Sequence, residues 1–405
     1  MKKLREILDK QAPLFEKGGK LEKYHALYEL HDTLLFTPGT VTRTASHVRD
    51  ALDLKRMMIT VVLAMLPCIG MALYNTGYQA HLAISQGAAP LDNWQTAAMT
   101  AMGFTMDDPS NVLACVLHGL LYWLPVFAVT MGAGGAVEVT TGIIRHHEVN
   151  EGFLVTGFLI PLTLPPTIPL WQVALGTAFG VIFAKEVFGG TGMNFLNPAL
   201  TARAFLFFAY PAQISGDGVW IAADFAGIDG VSGATWLARA ASEANALESA
   251  AWMEAFIGRV PGSMGETSTL CCMIGALVLI LTRIGSWRTM AGIVAGTFVM
   301  ATVCNMAASE SNPMLAVPFA WHVVLGGWAF GTVFMATDPV SSAFTSTGKL
   351  IYGFLIGVLV VLVRTVNPAY PEGMMLAILF MNMFAPLIDH YVVRANIKRR
   401  AARYA

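Results

Sequence analysis

Charge is what this 405-residue chain has least of. Asp, Glu, Lys and Arg make up 13% of it, about half the ~25% of soluble domains, while hydrophobic residues reach 55%. Such a composition cannot clothe a soluble surface, which leaves a polytopic membrane protein. The net charge of −1 argues neither for a nucleic-acid footprint nor for a peripheral basic anchor. No apolar stretch of signal-peptide type opens the chain, since residues 1–56 are polar and mixed in charge, so no secretory leader is expected. Cysteine is scarce too. Cys68, Cys115, Cys271, Cys272 and Cys304 all fall in apolar segments, without the paired spacing of a metal or disulfide framework, and read as small packing groups. A glycine-rich dinucleotide fingerprint behind a predicted strand is also missing.

What is present is a series of apolar runs. Crossing ~30 Å of hydrocarbon takes about 20 helical residues, which gives ten spans near 57–76, 112–144, 152–165, 168–186, 198–211, 267–283, 287–307, 317–336, 349–366 and 373–392. The second is too long for one straight crossing and holds Pro125 and the Gly132–Gly135 run, so a kink or break is expected. The third and fifth are short, as half-helices would be. Ten spans put both termini on one side. Of the 25 Lys and Arg, 21 then fall on that side, with Arg239, Arg259 and Arg364 opposite and Arg203 within a span. The positive-inside rule makes the common side cytoplasmic. The resulting organisation is a cytoplasmic segment 1–56, a first membrane half 57–211, an outer-side loop 212–266, a second half 267–392 and a basic tail 393–405.

The two halves carry related patterns. Ala178-Phe179-Gly180 with Phe183 precedes Asn197-Pro198, and Ala329-Phe330-Gly331 with Phe334 precedes Asp338-Pro339. Repeated halves with broken or short helices meeting near the midplane are how many transporters build sites. Five spans per half require opposite orientations, yet the charge count puts Asn197 and Asp338 on the same side. The fold class expected is therefore all-α, with about ten transmembrane helices in two repeated halves, and the repeat alignment stays open.

The longest polar interruption contains Asp229-Gly230-Val231-Ser232-Gly233-Ala234-Thr235. By itself this is a turn-rich loop. Further stretches accompany it: His147-Glu148-Val149-Asn150-Glu151-Gly152, Ala184-Lys185-Glu186-Val187-Phe188-Gly189-Gly190-Thr191-Gly192, Asn194-Phe195-Leu196-Asn197-Pro198-Ala199-Leu200, and Asn367-Pro368-Ala369-Tyr370-Pro371-Glu372-Gly373-Met374-Met375. From about Tyr24 onward the set resembles the B subunits of sodium-translocating NADH:quinone reductases. The D subunit of the Rnf complex is a further relative that shares the threonine motif. The resemblance implies a covalent FMN, joined by a phosphoester to Thr235 with Asp229, Ser232, Gly233 and Ala234 as its attachment motif. It also implies a non-covalent riboflavin contacted by Asn194 and Asn197, and ubiquinone as substrate.

Each candidate has an ordinary reading beside the functional one. Asn offers donor and acceptor to a flavin edge, but Asn197-Pro198 is equally a helix start. Gly134 and Gly135 leave room for a flat headgroup, as the resemblance implies for quinone, or for a close helix. Phe205 and Phe207 suit a quinone or plain packing. Glu138, a carboxylate inside a span, is a functional candidate by position, and the resemblance assigns it to cation uptake. Asp338 and Asp389 suit a sodium path, since sodium takes hard oxygen ligands, or alternatively a helix cap and a headgroup anchor. His146 and His147 beside Glu148 read as a solvated loop rather than metal ligands. No acid–base catalyst is assigned.

The resemblance implies electrons passing from an outer-side FMN subunit through FMN and riboflavin to quinone, coupled to export of Na+ or H+. NADH oxidation falls to a partner flavoprotein, because this chain lacks a nucleotide fingerprint. A multi-pass protein of the bacterial inner membrane with both termini cytoplasmic is expected. A Rnf-type electron carrier and a non-redox channel or transporter of the same architecture are the alternatives.

Overall fold

Each of the ten predicted spans corresponds to a helical segment. The computed structural model describes residues 2–16, 18–25, 28, 36, 54–145, 152–226, 233–243, 246–248, 250–309, 312–367 and 372–403. An amphipathic helix α1 (Lys2–Phe15) comes first. The first half then holds α2 (Leu54–Ser85), a short α3 (Trp94–Ala101), α4 (Val112–Arg145), α5 (Gly152–Leu162), α6 (Leu170–Ala184) and α7 (Pro198–Ala209). Two short helices follow, α8 (Trp236–Ser242) and α9 (Trp252–Ile257). The second half holds α10 (Thr269–Leu281), α11 (Trp287–Met306), α12 (Phe319–Val324), α13 (Trp328–Phe330, continued by a π-turn over Gly331–Met335), α14 (Ser346–Val366) and α15 (Met374–Ala401). Among the described residues the one sheet is a two-residue pair, Ala89–Pro90 against Ala223–Asp224.

Six helical segments are long and apolar enough to cross a membrane. Leucines such as Leu63, Leu66, Leu277 and Leu281 are exposed on their surfaces. A belt of that kind is stable against lipid and unstable against water. Short α5 and α7, with 11 and 12 residues, agree with the expectation from sequence. The α4 helix is continuous through Pro125, as membrane helices allow when neighbours satisfy the freed backbone groups. Two departures have physical causes. The α2 helix extends nine residues past the apolar run, where Gln79 is buried and its Nε2 donates to Asn75 Oδ1 at 3.2 Å, while Asn75 Nδ2 donates to the Val260 carbonyl at 2.9 Å. The eighth span is not one helix. It breaks at Leu325-Gly326-Gly327, where Leu325 is extended and Gly326 has φ +65°.

Close helix crossings fix the second half. In α11 and α14, Gly292 and Gly296 meet Gly353 and Gly357, each pair one small-xxx-small step apart. A Cβ on Gly296 would lie 2.0 Å from the Phe354 carbonyl oxygen, and one on Gly357 would lie 2.2 Å from that of Ile293. Backbone stands in both places, so a rotamer change gives no relief. We expect Gly296→Ile to destabilise the purified protein by about 1–3 kcal/mol through overpacking, read as earlier thermal denaturation in detergent. Gly132→Ile serves as control, because a Cβ there meets nothing within 4 Å.

Candidate functional site

Two cavities sit at the two ends of α10. One is lined by Val260–Ser263, Glu266 and Thr267, ahead of its first turn, and the other by Leu279 in its last turn and by Ile284 and Gly285 behind it. Thirteen helical residues separate the ends by roughly 20 Å. The segment through α13 spans the same gap, with Leu325 and Gly326 in the first wall and Phe334, Thr337 and Asp338 in the second.

Thr235 opens on the first cavity. It is the N-cap of α8, extended at φ −67° and ψ 151°, with Oγ1 accepting from the Ala238 amide at 3.3 Å. That bond uses one lone pair and leaves the hydroxyl half-buried at the cavity wall. Gly233 is glycine for a local reason, since a Cβ would lie 2.2 Å from the Asp217 carbonyl oxygen. Asp229 and Ser232 of the same motif, and His146, His147 and Glu148, lie outside the described residues. The wall facing Thr235 is mostly apolar, with Phe207, Trp220, Leu237 and Val324.

The floor of this cavity is charged. Arg203 in α7 donates from Nη1 to both oxygens of Glu266 at 3.0 Å, and from Nη2 to Glu372 at 2.7 Å and Ser263 at 3.3 Å. Burial pushes the Glu266 carboxyl, just ahead of α10, above the usual range, while the Arg203 guanidinium pulls it back. Glu372 also accepts from the Gly327 amide at 2.8 Å, so it caps α13 where the eighth span resumes. Arg364 closes the other side of the break. The charge count placed it on the outer side, at the end of the ninth span, and it is fully buried in α14. Its guanidinium donates to the carbonyls of His322 and Leu325 at 2.8 Å and of Glu372 at 3.0 Å. Half-helix ends inside a membrane need such partners. Sequence reading missed this cluster. Its signal was Arg203 inside an apolar run and Glu266 at the start of another.

The second cavity gathers residues from both repeat motifs. Asn194, Asn197, Thr191, Lys185, Thr337 and Asp338 all line it. The Asn-Pro and Asp-Pro segments thus share one end of the bundle, as the charge count required and a strict inversion of these motifs does not. Asn197 Oδ1 accepts from the amides of Ala199 and Leu200 at 3.0 and 3.2 Å, capping α7. Its cap role is real and leaves Nδ2 as donor. Among the described residues Asn194 has no hydrogen-bond partner. Gly192, at φ +88°, borders open space. Asp338 accepts from the Val340 amide at 3.2 Å and the Ser341 hydroxyl at 2.7 Å, and burial raises its carboxyl.

The remaining candidates are dispersed. Glu138, 6% exposed, is ion-paired with Lys185. The space beside Gly134 is filled by the Phe153 ring, since a Cβ there would come within 1.9 Å of it, while Gly135 borders open space. Phe205 stacks on Phe179 with centroids 4.3 Å apart, whereas Phe207 lines the Thr235 cavity. Neither of these two cavities is lined by all four residues expected around a quinone. Asp389 lies in α15 and accepts from the amides of Phe344 and Thr345 at 2.6 and 3.0 Å, which ties the start of α14 to the last helix.

A profile of the NQR2, RnfD, RnfE family matches residues 41–398. The chain is 57% identical over 407 residues to the B subunit of the Na(+)-translocating NADH-quinone reductase of Pseudomonas paraeruginosa, covering 99% of each. It is 55% identical over 404 residues to the protein of that name from Chromohalobacter salexigens, covering 99% of this chain and 97% of the relative. The Azotobacter vinelandii protein of the same name is 55% identical over 407 residues, with 99% of each covered.

Proposed function

The chain belongs to the NQR2, RnfD, RnfE family, and from that premise we propose that it is the membrane subunit of a redox-driven sodium pump passing electrons from NADH, oxidised on another subunit, to quinone. The observation that carries the reading is the pair of cavities at opposite ends of α10, one holding the Thr235 hydroxyl and the other the Asn194 and Asn197 amides. Full-length identity of 55–57% to the B subunits of Na(+)-translocating NADH-quinone reductases favours quinone reduction over a Rnf-type carrier.

The residues present fit two flavins. Thr235 would carry FMN as a phosphoester, because its hydroxyl opens on a cavity with apolar walls and hydrogen-bonding floor. Riboflavin would lie against Asn194 and Asn197, where an unpartnered amide, one remaining amide donor and Gly192 leave polar contact and backbone access. Once bound, flavins supply reversible one- and two-electron transfer. The chain itself would hold them near the two ends of α10, with Arg203, Glu266 and Glu372 beside the first and Lys185 and Asp338 beside the second.

The test is sodium uptake into vesicles containing the whole complex during NADH oxidation with quinone. We expect uptake that persists, or rises, when an uncoupler collapses the proton gradient. Uptake abolished by uncoupler, or quinone reduction indifferent to sodium, would overturn sodium as the pumped ion.

A further inference from the structure

The last helix is longer than the membrane it crosses. About 20 helical residues span the hydrocarbon, and α15 has 28, so a crossing that starts at Met374 ends near Val393. The face that α15 turns to lipid is marked by its exposed side chains Phe380, Phe384, Leu387 and Tyr391. Their spacing of four, three and four residues keeps them on one stripe. The next two positions of the same stripe are Arg394 and Lys398, both exposed. One face of one helix thus passes from phenylalanine and leucine through tyrosine to two cations. Tyrosine is enriched where a helix leaves the hydrocarbon. Val393 and Ile397, exposed beside the stripe, carry apolar surface almost as far out as Lys398, which suits the headgroup boundary better than open water. No acid follows Asp389 in the sequence, while Arg399, Arg400 and Arg403 add positive charge on the other faces.

We propose that Arg394 and Lys398 bind the phosphate of an anionic phospholipid whose acyl chains lie along the stripe from Phe380 to Tyr391. An excess of positive charge on one side of a membrane orients a chain, and it favours no particular helix face. Here two cations, one turn apart, continue the face that already contacts acyl chains. A phosphate seated between them therefore belongs to a molecule whose tails the stripe covers. A soluble acidic partner would instead find the denser charge at Arg399, Arg400 and Arg403, away from the stripe. Both side chains have long apolar stems that can follow lipid while their charged ends reach the phosphate. Arginine adds a forked donor and lysine a compact charge, a pair matched to the several oxygens of one phosphate. The bound lipid steadies the end of α15. Asp389, just before this turn, accepts the amides of Phe344 and Thr345, so the joint to the start of α14 is steadied with it.

The test uses the whole complex, stripped of native lipid in detergent and supplied again with phosphatidylglycerol or phosphatidylcholine. The thermal midpoint is read against lipid concentration. For the wild type it is expected to rise with phosphatidylglycerol and not with phosphatidylcholine. Each cation near an anionic lipid surface contributes about fivefold, so Arg394→Gln with Lys398→Gln should need about 25-fold more phosphatidylglycerol for the same rise. Arg399→Gln with Arg400→Gln removes the same charge from other faces and is expected to respond as the wild type does. Equal losses in the two double variants would reduce the effect to nonspecific attraction and overturn the proposal. A wild type that responds to neither lipid, or alike to both, also overturns it. Loss of another subunit from the first double variant, with its phosphatidylglycerol response unchanged, would assign the stripe to an acidic protein partner instead. Should that variant fail to assemble, Lys398→Gln alone is expected to shift the response about fivefold, and no shift there overturns the proposal.

Discussion

Thr235→Val is expected to abolish the flavin fluorescence of this subunit in a denaturing gel while leaving it folded and assembled. The substitution keeps the β-branched shape, and valine accepts the extended backbone found at this position. What is lost from the fold is the bond from the Ala238 amide to Oγ1, worth about 1 kcal/mol as an N-cap. The helix it caps has seven residues at the edge of the bundle, so global stability barely depends on it. What is lost from the chemistry is total, since an ester cannot form without the oxygen. Thr235→Ser keeps that oxygen and is expected to retain fluorescence. Gly233→Ala should also lower flavin attachment, though by displacing the loop from the Asp217 carbonyl rather than by removing the acceptor. A fluorescent band surviving Thr235→Val would move the attachment to another hydroxyl and sink the role given to the first cavity.

The parts of this molecule legible in its sequence are those set by local composition. Apolar run length located the ten spans, and it marked α5 and α7 as short because a membrane helix has no way to hide a deficit of apolar residues. The Asn197-Pro198 pair marked a helix start, and its side chain caps α7. The break in the eighth span was harder. Leu325-Gly326-Gly327 reads as three tolerable residues in an apolar run, and the partners that stabilise the break, Arg364 and Glu372, lie some 40 residues downstream in a stretch that looked like a loop boundary. The same holds for the cluster of Arg203, Glu266 and Glu372, whose members come from three distant segments. Glu138 was visible as an intramembrane acid, but its partner was not, because Lys185 reads as a charge at a helix end. The small-xxx-small steps of α11 and α14 were readable in principle and are what the helix crossing uses.

Arg203→Met is expected to give the largest loss of stability of any single change outside the lipid-facing surface, about 3–5 kcal/mol, measured as earlier thermal denaturation and faster heat inactivation of the detergent-solubilised complex. The size follows from what remains after the arginine goes. Glu266 and Glu372 would face each other in a buried site without the guanidinium that joins them, and the Glu266 carboxyl, already raised by burial, would rise further as its compensating charge disappears. Arg203→Lys should recover little, because one ammonium cannot reproduce a two-pronged contact with two carboxylates and Ser263. The informative comparison is the double change Arg203→Met with Glu266→Gln. Removing the orphaned charge should restore much of the stability, giving a coupling of at least about 1 kcal/mol between the two positions. If Arg203→Met alone stays within about 0.5 kcal/mol of the wild type, the cluster is not what holds the cavity floor. The consequence reaches beyond stability. Glu372 caps α13 through the Gly327 amide, and the chain that starts there ends in the wall of the second cavity at Asp338. Loosening the first cavity's floor should therefore alter the second cavity as well, and weaker retention in Arg203→Met of the non-covalent flavin proposed for that cavity would be its signature.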